Sequence, residues 1–313
     1  MKKTRFIPLI ISIFLVLSLC SCIFQPEDAD GAQGVETDTN GNPVTTAPEV
    51  EDELDDSSNV SEFTASLSFT NGTCTISDTS AIVQSGKIYK IVKAGTYTIT
   101  GTMEDGQIQV EVSDVDKVTL LLDNFDGKCS DSAVIYVKNA DRVYIDLAKG
   151  SVNTLTDAES YVFENPADDK PNACIYSADD LTIKGGGRLN VYANYNNGIG
   201  CKNDIDIKNG NVTVKAVKNA IKGNNSVTVR GDAEVVITGA NDGIKTDNVD
   251  RADKGYIEIT EMAKVVISCD DDALQATQNV IITDGATVTV VTASKAVNCD
   301  GKTSVAEGAL IIQ

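Results

Sequence analysis

Apolar and polar residues alternate in short runs along most of the chain, as in Ile205-Asp206-Ile207, Val212-Thr213-Val214, Val227-Thr228-Val229, Ile257-Glu258-Ile259 and Val288-Thr289-Val290. A period of two places successive side chains on opposite faces, which predicts half-buried strands. The runs are rich in Val, Ile and Thr, and Gly and Asn punctuate them, as in Lys208-Asn209-Gly210 and Thr283-Asp284-Gly285. A second regularity lies over the first. A small residue followed by an aliphatic one returns in Asn197-Gly198-Ile199, Asn219-Ala220-Ile221, Asp242-Gly243-Ile244, Asp272-Ala273-Leu274 and Lys295-Ala296-Val297. Counted from Ile199, the steps between aliphatics are 22, 23, 30 and 23 residues. Short strands in units of this length predict a solenoid whose coils pair with the coils on either side. The expected fold is all-β, a right-handed single-stranded parallel β-helix. A β-sandwich also alternates, but it has no reason to repeat one loop sequence at a fixed interval.

Residues 61 to 150 continue the strand pattern without the later motif, for example in Thr96-Tyr97-Thr98-Ile99-Thr100 and Val143-Tyr144-Ile145-Asp146-Leu147. They are expected to form the first coils of the same solenoid. Between 151 and 173 the pattern pauses in a polar stretch that should stand off one side. The long step of 30 residues is explained by an insertion, Thr246 to Gly255, which carries three Asp residues. The chain reaches Gln313 on an apolar Leu310-Ile311-Ile312 with no evident cap. The last coil is thus expected to continue or to pair with something else.

The amino terminus departs from this pattern. Lys2, Lys3 and Arg5 precede an apolar stretch from Phe6 to Leu19 and the sequence Leu19-Cys20-Ser21-Cys22, which reads as a secretory signal over residues 1–21. Leu at minus three and Ser at minus one before Cys22 resemble the lipobox of bacterial lipoproteins, whose cysteine is diacylated after cleavage. Cys22 is therefore the expected lipidation site. It would tether the mature chain to the extracellular face of a membrane without a spanning helix. Residues 22–60 follow as a linker with eleven carboxylates and no Lys or Arg, too polar to bury a core. The folded domain is assigned to 61–313.

Charge narrows the partners. The chain holds 46 acids and 26 bases. Setting aside the leader's three bases and the linker's eleven acids leaves 35 and 23, a net charge near −12 for residues 61–313. Such a domain is not expected to bind nucleic acid unless a cation intervenes. The absence of His excludes Ser-His-Asp and Cys-His catalysis, a histidine base and His-ligated zinc. Without Trp, the usual aromatic platform for crystalline polysaccharide is weak. Six cysteines follow Cys22, namely Cys74, Cys129, Cys174, Cys201, Cys269 and Cys299. Their even count in an exported protein invites disulfides, yet Cys201 and Cys299 share a repeat position several coils apart, too far for one bridge. Free thiols packed as small hydrophobes are the favoured reading. The molecule is expected to be a monomer.

Coils of a β-helix stack at about 4.8 Å, so equivalent positions form columns on its outside. One column holds Asn197, Asn219, Asp242 and Asp272, and a second holds Lys202, Asn224, Asp247 and Thr277, with Asn203 beside it. Stacked carboxylates repel unless a cation lies between them, and calcium accepts Asp, Asn and carbonyl oxygens from irregular loops. Asp242, Asp247, Asp271 and Asp272 are the leading candidate ligands, with Asn197, Asn203, Asn219 and Asn224 in the same columns. For the asparagines, a corner that needs left-handed backbone is an equal explanation. Tyr192 and Tyr195 either stack on a ligand or pack on the side loop. Lys222 and Lys245, one residue beyond the motif aliphatic, are candidate ligand contacts.

Ser177-Ala178-Asp179-Asp180-Leu181-Thr182-Ile183-Lys184-Gly185-Gly186-Gly187, Asn197-Gly198-Ile199 and Asp242-Gly243-Ile244-Lys245-Thr246-Asp247, with Asn153-Thr154-Leu155-Thr156-Asp157, resemble a family of secreted clostridial carbohydrate-binding β-helix proteins. The resemblance covers about residues 85 to 300. It implies a parallel β-helix related in shape to pectate lyases, bound calcium, and affinity for cellulose and polygalacturonate. Ala at 220, 273 and 296, and Lys295 in place of an acid, depart from the pattern and weaken the case for metal in the first and last of these coils. The expected function is thus a membrane-anchored binding protein for plant cell-wall polysaccharide, pectin or cellulose, carrying Ca2+. An acidic solenoid can meet an anionic polyuronate through a calcium bridge. Two alternatives remain: a calcium-dependent pectate-type lyase using Lys222 or Lys245 as base, and a structural or adhesive surface protein.

Overall fold

The computed structural model describes residues 64–163 and 170–313. The leader, Cys22 and the linker lie outside the described residues, so the readings made of them are not addressed by the fold. Among the described residues every element is a strand, and no helix is long and apolar enough to cross a membrane.

Each coil contributes three strands, and the strands of successive coils stack in parallel as three faces. One full turn runs Asp204–Lys208, Asn211–Ala216 and Asn219–Gly223. The first strand pairs with Ser226–Arg230, the second with Glu234–Gly239 and the third with Asp242–Thr246 of the next coil. The third face is a ten-stranded sheet by itself. The first and second faces join into one sheet of 18 strands because Lys117–Lys128 runs unbroken from one to the other. It pairs with Arg142–Leu147 through its first half and with Val152–Thr156 through its last residues. This is the parallel β-helix that the alternation and the repeat predict.

Alternation builds the core. Ile135, Ile175, Ile199, Ile221, Ile244 and Leu274 lie in register along the third face and are all buried. Leu181, Ile205, Val227, Ile257 and Val280 form the matching column of the first face. Each such side chain contributes about 1.5–3 kcal/mol on burial. The small residue of the motif sits where the third face crowds the interior. A Cβ added to Gly243 would stand 2.4 Å from the Ala273 carbonyl oxygen and 2.9 Å from Ile267 Cγ2.

Left-handed backbone recurs at one corner, between the first and second faces, at Gly150, Asn209, Gly210, Gly231, Glu261, Gly285 and Gly308. The Asn-Gly and Asp-Gly punctuation of the sequence belongs there. Asn197, Asn219, Asp242 and Asp272 are not among the residues with positive φ, so corner geometry does not explain that column.

Two expectations are corrected. The polar pause begins after Thr156, because Val152–Thr156 is a strand of the second face. Buried Asn153 holds it in place, its Oδ1 accepting the Phe125 N–H at 2.9 Å. The amino-terminal end is also not a plain coil. Thr64–Thr70 turns back antiparallel on Thr73–Ile76 through Asn71 and Gly72, both left-handed as a tight hairpin turn needs. Ile82–Ser85 returns likewise on Ile88–Ile91. All six cysteines after the linker are free, with Cys129, Cys174, Cys201 and Cys269 buried and Cys74 and Cys299 half-buried.

Candidate functional site

The motif column opens the third-face strands, and it is buried. Asn197, Asn219, Asp242 and Asp272 are 2, 1, 3 and 2 % exposed, not on the outer surface where stacked equivalent positions are expected. Its two halves behave differently. In the asparagine half, Asn219 Nδ2 donates to Asn197 Oδ1 at 2.6 Å, and Asn197 Nδ2 donates to the Asn172 carbonyl at 3.0 Å. The result is an amide ladder running from coil to coil.

The ladder changes character at the aspartates. Asp242 Oδ1 accepts Asn241 Nδ2 at 3.2 Å and the Asp272 backbone N–H at 3.3 Å, and its Oδ2 faces Lys245 Nζ at 3.2 Å. Asp272 Oδ2 accepts Asn298 Nδ2 at 2.6 Å, but Asp272 Oδ1 is buried without a partner among the described residues. Asn219 Oδ1, one rung before Asp242, is orphaned too. Asp271 joins from the preceding turn. One carboxylate oxygen from each of Asp242, Asp271 and Asp272 lies within 4.8 Å of the others. Three acids so close, two of them buried, repel one another strongly. Unpartnered buried oxygens are rare in folded proteins because each carries a desolvation penalty.

The other predicted ligands are placed elsewhere. Asn203, Asn224 and Asp247 follow the far ends of their third-face strands, at the next corner. There Asp247 is held by Lys222, and the Asn224 N–H donates to the Cys201 carbonyl. Lys254, at the end of the inserted loop, reaches Asp204 at 3.2 Å. Tyr192 and Tyr195 do not form one platform. Tyr192 is 42 % exposed on the second face between Thr156 and Lys215, whereas Tyr195 stacks on Tyr161 of the side loop at 4.1 Å.

That loop is anchored by Asp157. Burial pushes its carboxyl up to about 6, against the opposing hydrogen bonds from the Tyr161 hydroxyl and the Asn194 backbone N–H. Tyr161 also packs on a small cluster of Tyr136, Ala173 and Tyr176 outside the third face.

A feature without a repeated sequence signature emerges from the register. Lys90, Gln109, Tyr136, Tyr176, Gly200, Lys222, Lys245, Gln275 and Asn298 form a single row along the third face, one residue per coil. The row alternates with the inward aliphatics, so it lines the outside. Lys222 and Lys245 were legible from their place in the motif, but Gln109 and Tyr136 precede the motif and carried no signal.

Known proteins agree with this architecture. A solved structure of a polysaccharide lyase-like protein from C. thermocellum, a gadolinium derivative, superposes with a TM-score of 0.77 at 44 % identity, covering 80 % of this chain and 100 % of that one. A carbohydrate-binding domain-containing protein of Acetivibrio thermocellus is 44 % identical over 246 residues, which is 79 % of this chain and 85 % of that protein. The family model of carbohydrate-binding domain-containing proteins matches residues 85–312, and with the fold and the identity both in hand, the chain belongs to that family.

Proposed function

We propose that the protein is a non-catalytic receptor for plant cell-wall polysaccharide, pectic or cellulosic, that holds Ca2+ at Asp242, Asp271 and Asp272. The observation that carries this reading is the close approach of the three carboxylates, with Asp272 Oδ1 buried and unpartnered. The donor set suits a hard cation. Calcium takes about six to eight oxygens at about 2.3–2.6 Å, and carboxylates, the orphaned Asn219 amide oxygen one rung away and solvent are all oxygen donors. Gadolinium, present in the solved relative, is likewise a hard cation that favours oxygen. An exposed Asp271 leaves an open side, where a uronate carboxylate can complete the shell of an ion held from below.

Calcium titration into chelator-stripped protein tests the metal. Saturable binding that Asp272→Asn abolishes is expected, and retention of polygalacturonate should fall when chelator is added. Chelator-insensitive retention at the wild-type level would sink the bridge. On this reading Cys22 is diacylated and the solenoid stands on the extracellular face of the cell membrane. Mass spectrometry of the mature amino terminus checks this, and Cys22→Ala should release the protein to the medium.

Lyase chemistry is the second reading, favoured by the solved relative's description as polysaccharide lyase-like. Its candidate bases are both engaged, Lys245 with Asp242 and Lys222 with Asp247, which favours binding without turnover. Release of unsaturated uronides, followed by their ultraviolet absorbance, is expected to stay at background.

A further inference from the structure

The third face carries a recess several coils before the aspartates, walled in part by Val162, Phe163, Lys170 and Pro171 of the side loop. Its volume is about 470 Å3, within the range of small-ligand sites. Gln107 and Gln109 from Gln107–Glu111, Tyr136 and Lys138 from Ile135–Asn139, and Lys87 at the rim line it. Gln109 and Tyr136 belong to the outward row, so the register that builds the core also aims these two into the recess.

The polar groups of this lining are not equally committed. Gln107 Nε2 is bound to Ser132 Oγ and the Ala133 carbonyl, both at 3.0 Å, which fixes its amide. Gln109 is 7 % exposed, and its side chain makes no hydrogen bond to any described residue. Nine-tenths buried and lining the cavity, it presents an unspent donor and acceptor to whatever enters.

Charge supplies the class of ligand. Among the described residues, the lining holds Lys87, Lys138 and Lys170 against one acid, Asp131, on a chain of net charge −20. Lys87 is spoken for, with Asp131 at 2.8 Å and Asp105 at 3.1 Å. Lys138 lies 3.8 Å from Glu111, whose carboxylate Lys90 already holds at 2.6 Å. Lys170 sits over the Phe163 ring, 5.0 Å from its centroid. Two lysines are thus left with weak local partners beside an amide and two aromatic walls. A carboxylate meets the ammonium groups, ring hydroxyls meet the Gln109 amide, and a pyranose face meets Tyr136 or Phe163.

We propose that this recess is a uronate subsite that binds the acidic sugar directly, without a metal, at a place distinct from the aspartate cluster. The inference rests on the polysaccharide reading above and adds a second, cation-independent contact on the same face. A chain lying along that face would meet lysine at the recess and calcium several coils on.

Calorimetric titration of the full-length protein with trigalacturonate in excess chelator tests it, with cellotriose as the neutral control. Wild type should bind trigalacturonate and bind cellotriose more weakly. Gln109→Glu, which sets a like charge against the carboxylate, should weaken trigalacturonate by at least roughly tenfold. Lys138→Ala, at a half-exposed position that threatens the fold little, should weaken it by roughly fivefold or more, and Lys264→Ala, at an exposed position of the second face, should leave it unchanged. The inference is overturned if both recess variants bind as wild type does, if cellotriose binds equally well, or if trigalacturonate fails to bind in chelator. In that last case, calcium-dependent retention of polygalacturonate shows whether the polysaccharide reading survives alone. Loss of binding with and without calcium removes both.

Discussion

The backbone N–H of Asp272 donates to Oδ1 of Asp242 at 3.3 Å, which ties two buried carboxylates on successive coils to one another. The strand register enforces their approach, since Ile244 and Leu274, two residues further along, are paired in the core. Without a cation, the core holds like charges together. Asp272→Asn removes one of them, so the variant should melt higher than wild type in chelator. Calcium at a hundred times its dissociation constant should stabilise wild type by about 2.7 kcal/mol, a rise of several degrees that the variant lacks. Paired melting curves with and without calcium check this, and an equal calcium response in the two proteins would contradict it.

Asp157 predicts a pH effect of defined sign. Its carboxyl ordinarily titrates near 3.8 and is pushed up to about 6 by burial. The folded state therefore binds the proton more tightly than the unfolded state. The stabilising contribution is complete below about 4 and is lost as pH rises through about 6. Its size is on the order of 3 kcal/mol. The geometry agrees, because the Tyr161 hydroxyl is 2.6 Å from Asp157 Oδ2 and 3.0 Å from the Ala173 carbonyl. A protonated Asp157 can donate to Tyr161 while Tyr161 donates onward. Asp157→Asn imitates that state, so the wild-type-minus-variant stability should change between pH 4 and 6.5 and be flat above it. Hydrogen exchange around Tyr161 reads the same effect locally.

Gly243 tests the crowding behind the motif. Its added Cβ would meet the Ala273 carbonyl oxygen at 2.4 Å, so Gly243→Ala should destabilise the solenoid by about 1–3 kcal/mol. Denaturant unfolding measures it. Ala220 fills the equivalent place one coil earlier and is buried without exposure, so a cost near zero would mean the backbone can shift at 243 as well.

Thiol chemistry separates free cysteines from bridges. Burial pushes the Cys129 and Cys269 thiols up to about 11 and that of Cys174 well above its usual range. Buried and protonated, they should resist a thiol reagent in the native protein. Only Cys74 and Cys299 should react slowly, and all six should react once the chain is unfolded. A lower count in denaturant without reductant would reveal disulfides.

The fold was legible because its signal is repeated. Val212-Thr213-Val214 alone is an ambiguous strand, but the return of Gly198-Ile199 as Ala220-Ile221 and Gly243-Ile244 fixes both the coil length and the column that fills the core. The aspartates were legible for the same reason, since Asp242 and Asp272 occupy the place of Asn197 and Asn219. Their burial was not, because alternation does not show which way a side chain at a corner turns. Nor was the separation of Asp247 from Asp242, which depends on four intervening extended residues carrying it to the opposite end of the strand. Gln109 and Tyr136 left no trace in sequence at all. They become neighbours only when Gln107–Glu111 and Ile135–Asn139 stack, and no shared motif announces that pairing.

The hairpins at the amino-terminal end bear on how the molecule keeps company with itself. A rod of parallel rungs is a template for more of the same, and an open rung invites another chain to add. Among the described residues, the outermost strands of that end, Thr73–Ile76 and Ile82–Ser85, run against the direction of the stack. An incoming coil would find the chain pointing the wrong way and only four residues to grip. The direction of two short strands thus opposes the addition of a further parallel coil at that end.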